Sequence, residues 1–143
     1  MKPLKRIAIV SNATKSGALQ VGEDLKAMAE RMEVEANLST AFPAPTSLLS
    51  GMDACFVIGG DGTLLNVMEE AVKYNVPVAG IRHGQLGFLA TLSPADMEKQ
   101  IPPLLRGEYK IRRRSMLFIE DKNGSSKTAL NDLVVKSGSN GRL

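Results

Sequence analysis

The apolar run Ala54-Cys55-Phe56-Val57-Ile58 leads directly into Gly59-Gly60-Asp61-Gly62-Thr63, and an apolar-periodic segment from Leu64 to Tyr74 follows. That order reads as a strand, a tight turn and a helix. The three glycines allow unusual backbone dihedrals and close approach by a ligand, while a helix start offers unpaired N–H groups and a positive dipole end to an anion. A carboxylate inside a phosphate-competent turn needs a chemical reason. Asp61 either takes a proton from an attacking hydroxyl or holds a divalent metal, and both point to phosphoryl transfer rather than nucleotide binding alone. The plainer alternative is a glycine-rich connection in which Asp61 or Thr63 merely caps the helix. Neither GxxxxGK[ST] nor GxGxxG occurs in the chain, which excludes a Walker loop and the standard dinucleotide fingerprint.

The rest of the first hundred residues alternates strands and helices. Arg6 to Ser11 is a strand candidate, followed by a polar loop from Asn12 to Gly17 and an amphipathic helix marked by Val21, Leu25, Met28, Ala29 and Met32. A short strand is expected over Val34 to Leu38, a helical turn near Thr46 to Leu49, and a strand over Val78 to Ile81. In the helix after the glycine turn, Leu64, Leu65, Met68, Ala71 and Val72 form the expected apolar face. Ser93-Pro94-Ala95-Asp96 opens another helix, disturbed by Pro102 and Pro103 and ended near Gly107. This is an α/β fold with a doubly wound, mainly parallel sheet. Its ligands bind beyond the carboxyl ends of the strands, where Asp61 and the Gly80 to Gly87 loop fall.

After Glu108 the pattern changes. Tyr109 to Glu120 and Thr128 to Val135 read as strands, and Asn123-Gly124 between them signals an antiparallel hairpin. The expected organisation is therefore a nucleotide-binding α/β domain over residues 1–108 and the beginning of an incomplete β-rich domain over 109–143.

A chain of 143 residues with 43% apolar content can bury one genuine core. Its net charge of +3 is too mild to indicate nucleic acid but suits a polyanionic substrate. Lys110, Arg112, Arg113 and Arg114 have no interleaved aromatics to stack bases and read as a solvated strand face or subunit contact. Cys55, the one cysteine, reads as a small buried hydrophobe. No segment reads as a signal peptide or membrane span, and the cytoplasm is the default location. His83, the one histidine, reads as a solvated loop residue, with a general-base role as the alternative.

Gly-Gly-Asp-Gly-Thr resembles the loop shared by NAD kinases, diacylglycerol and sphingosine kinases and, more loosely, phosphofructokinases. Gly80-Ile81-Arg82-His83-Gly84-Gln85-Leu86-Gly87-Phe88-Leu89 and Ala129-Leu130-Asn131-Asp132 resemble two further NAD kinase blocks, in family order. The Gly-Thr-Ala/Gly-Asn-Asp segment of lipid kinases is absent. The resemblance implies transfer of a phosphoryl group from ATP or polyphosphate to the 2′-hydroxyl of NAD's adenosine ribose, with a divalent metal such as Mg2+. It makes Asp61 the base, Gly60, Gly62 and Thr63 the phosphate-facing turn, Phe88 a neighbour of adenine where an unaided reading would make it ordinary core, and Asn131 and Asp132 contacts to the ribose and nicotinamide portion. Arg142 stands where the family often has a basic residue. Asp132 replaces the usual Glu, and Arg82 the usual Asn, where it is a candidate phosphate contact. Without the family, Asn131-Asp132 reads as a bulge or strand-end turn. A homo-oligomer is expected of the full-length protein. Two alternatives remain: a lipid kinase of the diacylglycerol type, and a piece that binds or assembles without turnover.

Overall fold

The computed structural model describes residues 1–84, 89–132 and 134. Four parallel strands, β1 (Arg6–Ser11), β2 (Glu35–Ser39), β3 (Ala54–Gly59) and β4 (Val78–Arg82), form one sheet in the order β2-β1-β3-β4. Parallel neighbours need crossovers. The connections are α1 (Ala18–Arg31) between β1 and β2, and α2 (Asp61–Asn66) with α3 (Met68–Tyr74) between β3 and β4. A short 3-10 turn, Pro94–Asp96, leads into α4 (Met97–Leu105).

The core follows from the strand sequences. Every residue of β3 is buried, as is every residue of β1 after Arg6. Ile7, Ile9, Phe56 and Ile58 join Leu25, Met28 and Ala29 of α1 and Met97, Ile101 and Leu105 of α4 in one cluster. Ala8, Val10, Cys55 and Val57, the alternate residues of the same strands, are buried as well. Both faces of the two central strands are therefore covered, which is why they read as continuous apolar runs without polar alternation. Burial pushes the Cys55 thiol up to about 12, so it stays protonated and inert.

Gly80 shows how tightly the chain returns after β4. A Cβ there would lie 2.7 Å from the Ala90 Cα and 2.9 Å from Leu64 Cδ1. That closeness lets Leu92 pair with Ile81 as a parallel bridge, with the Leu92 N–H donating to the Gly80 carbonyl (3.0 Å) and the Arg82 N–H to the Leu92 carbonyl (2.8 Å). At the opposite end of the sheet, Asp53 joins the starts of β1 and β3. Its Oδ2 accepts from the backbone N–H groups of Lys5 (2.8 Å) and Arg6 (2.9 Å). Partial burial disfavours the Asp53 carboxylate, but these hydrogen bonds and the charges of Lys2 and Arg6 outweigh it and hold its pKa below the ordinary value.

Several expectations need correction. The helix after the glycine turn starts at Asp61 and breaks at Val67; Leu64, Val67 and Ala71 are buried, while Leu65 and Val72 are 36% and 50% exposed. Residues 46–51 form successive turns, not a helical one, anchored by buried Leu49. The two prolines do not interrupt α4. The helix donors they remove would have met carbonyls of Glu98 and Lys99, which are exposed and open to water. The strand expected from Tyr109 spans only β5 (Leu117–Glu120), because Tyr109 packs on the core of the α/β unit and residues 110–116 have no strand partner among the described residues.

A second compact unit, Arg113–Leu143, is distinct from the first, Met1–Arg112. Its described regular structure is an antiparallel pair, β5 with β6 (Ser126–Ala129); the strand expected from Thr128 begins two residues earlier, Asn131 and Asp132 are not part of it, and Leu133 and Val135 of that expectation lie outside the described residues. Asp121 organises the turn around Asn123-Gly124, its Oδ1 accepting from the N–H groups of Asn123 (2.8 Å) and Ser125 (2.9 Å).

Gly80→Ala is expected to cost about 1–3 kcal/mol through backbone overlap, read as a Tm lowered by several degrees in thermal unfolding; an unchanged Tm would contradict the packing described. The Asp53 carboxylate stabilises the fold above its unfolded pKa of about 3.9 and loses that contribution as pH falls through its lower folded pKa. Asp53→Ala should therefore cost about 1 kcal/mol at neutral pH, from lost hydrogen bonds held to this size by solvent. Denaturant titrations should show that difference shrinking below about pH 4.

Candidate functional site

Three loops meet at the carboxyl ends of β1, β3 and β4. With β2 on one side of β1 and β3 on the other, successive connections diverge between β1 and β3, the position where open parallel sheets form a ligand crevice. The glycine turn leaves β3 at that position. A Cβ on Gly59 would sit 2.6 Å from Thr63 Oγ1, so this glycine is required by the protein's own packing. Gly60 and Gly62 differ: a Cβ on either meets nothing within 4 Å, and neither has a positive φ. Among the described residues, nothing in the packing requires glycine at these two positions.

Asp61 is the first residue of α2, and its Oδ1 accepts a hydrogen bond from the Leu89 N–H (3.1 Å). That bond fixes the carboxylate's orientation at the mouth of the loop following β4. Thr63 is 4% exposed and is not the helix cap, which is Gly60 without a side-chain hydrogen bond. Its hydroxyl accepts from Asn12 Nδ2 (3.3 Å), joining the loop after β1 to the glycine turn. Asn12 is held in turn: its N–H donates to the Ile58 carbonyl (3.1 Å), and its Oδ1 accepts from the Thr14 N–H and hydroxyl.

His83 is less free than a solvated loop residue. Its backbone N–H donates to the Gly59 carbonyl (3.1 Å), and its Nε2 lies 2.6 Å from the Ser16 carbonyl. A carbonyl only accepts, so Nε2 carries the hydrogen and the ring ties the loop after β4 to the loop before α1. Lys15 crosses the same junction, its ammonium 3.2 Å from where a Gly84 Cβ would stand.

These contacts enclose an open cleft of about 270 Å3 lined by Asn12, Lys15, Phe42, Gly60, Gly62 and Thr63. Sequence reading identified the last three and missed the first three. Asn12 and Lys15 lie in a polar loop that carries no motif, and only the β1–β3 pairing brings it to the glycine turn. Asn131 and Asp132 are exposed, just beyond β6 in the second unit, at the strand end that their unaided reading allows. Phe88 and Arg142 lie outside the described residues. Among the described residues, no three His, Cys, Asp or Glu side chains gather as a metal centre. No described helix is long and apolar enough to cross a membrane.

Comparison with known proteins adds the family. An NAD kinase of Marinomonas sp. (strain MWYL1) is 30% identical over an alignment that takes in 100% of this chain and 54% of its own. NAD kinases of Clostridium botulinum (strain Loch Maree / Type A3) and Legionella pneumophila (strain Corby) are each 43% identical over 64% of this chain, covering 34% and 32% of theirs. The chain thus spans between about a third and about half of the relatives it matches. The crystal structure of yeast NADH kinase complexed with NADH shares the fold, with a TM-score of 0.66 at 19% identity over 89% of this chain and 44% of that one. Residues 7–109 match the family model of the ATP-NAD kinase N-terminal domain, and the chain belongs to the NAD kinase family.

Proposed function

We propose that this chain carries the catalytic turn of an enzyme that transfers a phosphoryl group from ATP or polyphosphate to the 2′-hydroxyl of NAD's adenosine ribose, giving NADP. The observation that carries this reading is a carboxylate oriented by Leu89 within a turn where Gly60 and Gly62 leave space that no described residue occupies. Family membership supplies the substrate class and displaces the lipid kinase alternative.

On this reading Asp61 accepts the hydroxyl proton as the ribose oxygen bonds to the terminal phosphorus. The bond from that phosphorus to its bridging oxygen breaks, and the shortened phosphate chain departs with the electron pair. The Asp61 proton then passes to water. Gly60 and Gly62 admit the phosphates against the backbone, while Asn12 and Thr63 hold the floor of the cleft. Asn131 and Asp132 hydrogen-bond the ribose and nicotinamide portion, Phe88 borders adenine, and Arg142 supplies a basic contact.

One carboxylate in the glycine turn fits a magnesium ion held largely by substrate phosphates and not by a protein cage. When bound, such an ion neutralises charge developing on the phosphoryl oxygens. A cytoplasmic location and a homo-oligomeric full-length enzyme belong to the same proposal.

The partial coverage of the relatives favours a second reading for the 143 residues by themselves, namely binding without turnover. Phosphoryl transfer requires both substrates to be positioned and water excluded. Calorimetric titration of NAD, with and without ATP and magnesium, alongside an NADP assay, should give binding with little product; rapid NADP formation would remove this second reading. In the whole protein, Asp61→Asn should lower kcat for NADP formation by about 10²–10⁴-fold, the usual contribution of a general base. An undiminished kcat would show that Asp61 is not the base.

A further inference from the structure

We propose that His83 is a positioning residue for Asp61: its ring ties the loop after β4 to the loop after β1 and so holds the Asp61 carboxylate in its working direction. The inference rests on the NAD kinase reading and adds to it a residue which that reading does not use. Parallel strands bring three loops to one end of the sheet, but strand pairing stops at Ser11, Gly59 and Arg82. Beyond those residues the loops hold one another through bonds of their own.

These bonds form a closed triangle. From the loop after β1, Asn12 Nδ2 donates to the Thr63 hydroxyl of the glycine turn (3.3 Å). From the loop after β4, the Leu89 N–H donates to Asp61 Oδ1 of the same turn (3.1 Å). The third side runs between the two outer loops, where His83 Nε2 donates to the Ser16 carbonyl (2.6 Å). Ser16 stands beside a close approach, since a Cβ on Gly17 would lie 3.4 Å from His83 Cε1. The backbone N–H of His83 meanwhile donates to the Gly59 carbonyl (3.1 Å), just ahead of Asp61. One residue thus grips two loops, the turn through its main chain and the β1 loop through its ring.

The direction of Asp61 follows the position of the Leu89 N–H. The segment that carries Leu89 is fixed at its far end by the bridge of Leu92 to Ile81 and at its near end by His83. Released at His83, that segment would pivot about the bridge and carry the Leu89 N–H with it. Misplacing a reacting group by about 1 Å costs as much as ~10²-fold in rate, so the tie acts on kcat and not on affinity. The role requires a donor of the right reach and no exchange of protons. Glutamine meets both conditions, because its amide nitrogen reaches as far as the histidine Nε2 and does not act as a base. This separates positioning from the general-base alternative.

The test is steady-state NADP formation by the whole protein and three variants. His83→Met has the length of glutamine without a donor, His83→Asn has an amide without the reach, and His83→Gln has both. The Met and Asn variants should lower kcat about tenfold, the scale of one hydrogen bond lost at a positioned group, with KM for NAD unchanged. His83→Gln should restore kcat to within about twofold of wild type. Met and Asn remove the bond by different means, so misfolding of one, read in its far-UV spectrum, leaves the other to decide. In an Asp61→Asn background, His83→Met should cost less than about twofold, because residues that act as one unit are not additive. The proposal is overturned if the Met and Asn variants turn over like wild type, or if His83→Gln is as slow as they are, which would make the ring itself the proton acceptor. It is also overturned if His83→Met costs as much with Asp61→Asn as without it. Each of these results, with normal wild-type turnover, leaves the kinase reading standing; a wild-type protein that forms no NADP removes that reading and this inference together.

Discussion

Parallel pairing of β1 with β3 is the constraint on which the rest of the molecule depends. It runs from Ile7 opposite Ala54 to Ser11 opposite Ile58, burying both strands on both faces. Because the strands are parallel, the chain leaves each of them at the same end of the sheet. The polar loop after β1 and the glycine turn after β3 are therefore neighbours although about fifty residues separate them, and the Asn12–Thr63 hydrogen bond closes that neighbourhood. The crevice is a consequence of topology first and of its lining residues second.

The same end of the sheet divides its labour. Gly59 and Thr63 are packed against each other and define the turn, whereas a Cβ on Gly60 or Gly62 would meet no described residue within 4 Å. Asp61 belongs to neither set, being oriented by the main chain of Leu89. His83 and Ser16 hold the outer loops together without occupying the cleft. Rigid parts thus surround a few unengaged groups, the arrangement that positioning catalysis requires.

Much of this was legible in the sequence where a local pattern sufficed. Arg6 to Ser11 and Ala54 to Ile58 stand out as continuous apolar runs, the face of α1 carries helical periodicity, and the glycine turn names its own chemistry. The failures were tertiary. Leu65 and Val72 are apolar and next in sequence to the core-facing Leu64 and Ala71, yet the buried stripe is Leu64, Val67 and Ala71 at spacings of three and four, and composition does not say which of two neighbouring stripes meets the sheet. Tyr109 looked like the start of a strand but is drawn to the α/β core, a choice that intrinsic preference does not encode. Asn12 and Lys15 have no motif around them; they reach the cleft because a strand is paired beside β1, and a single sequence does not display strand order.

The solitary thiol has a practical consequence. Cys55 is fully buried in the central strand, and its proton is held up to about 12, so alkylating reagents at neutral pH find no reactive sulfur in the folded chain. A cysteine introduced on the rim of the cleft would then be the sole addressable thiol. Fluorophores or spin labels could be placed there without first removing the native residue, whose replacement would disturb the strand it helps to pack.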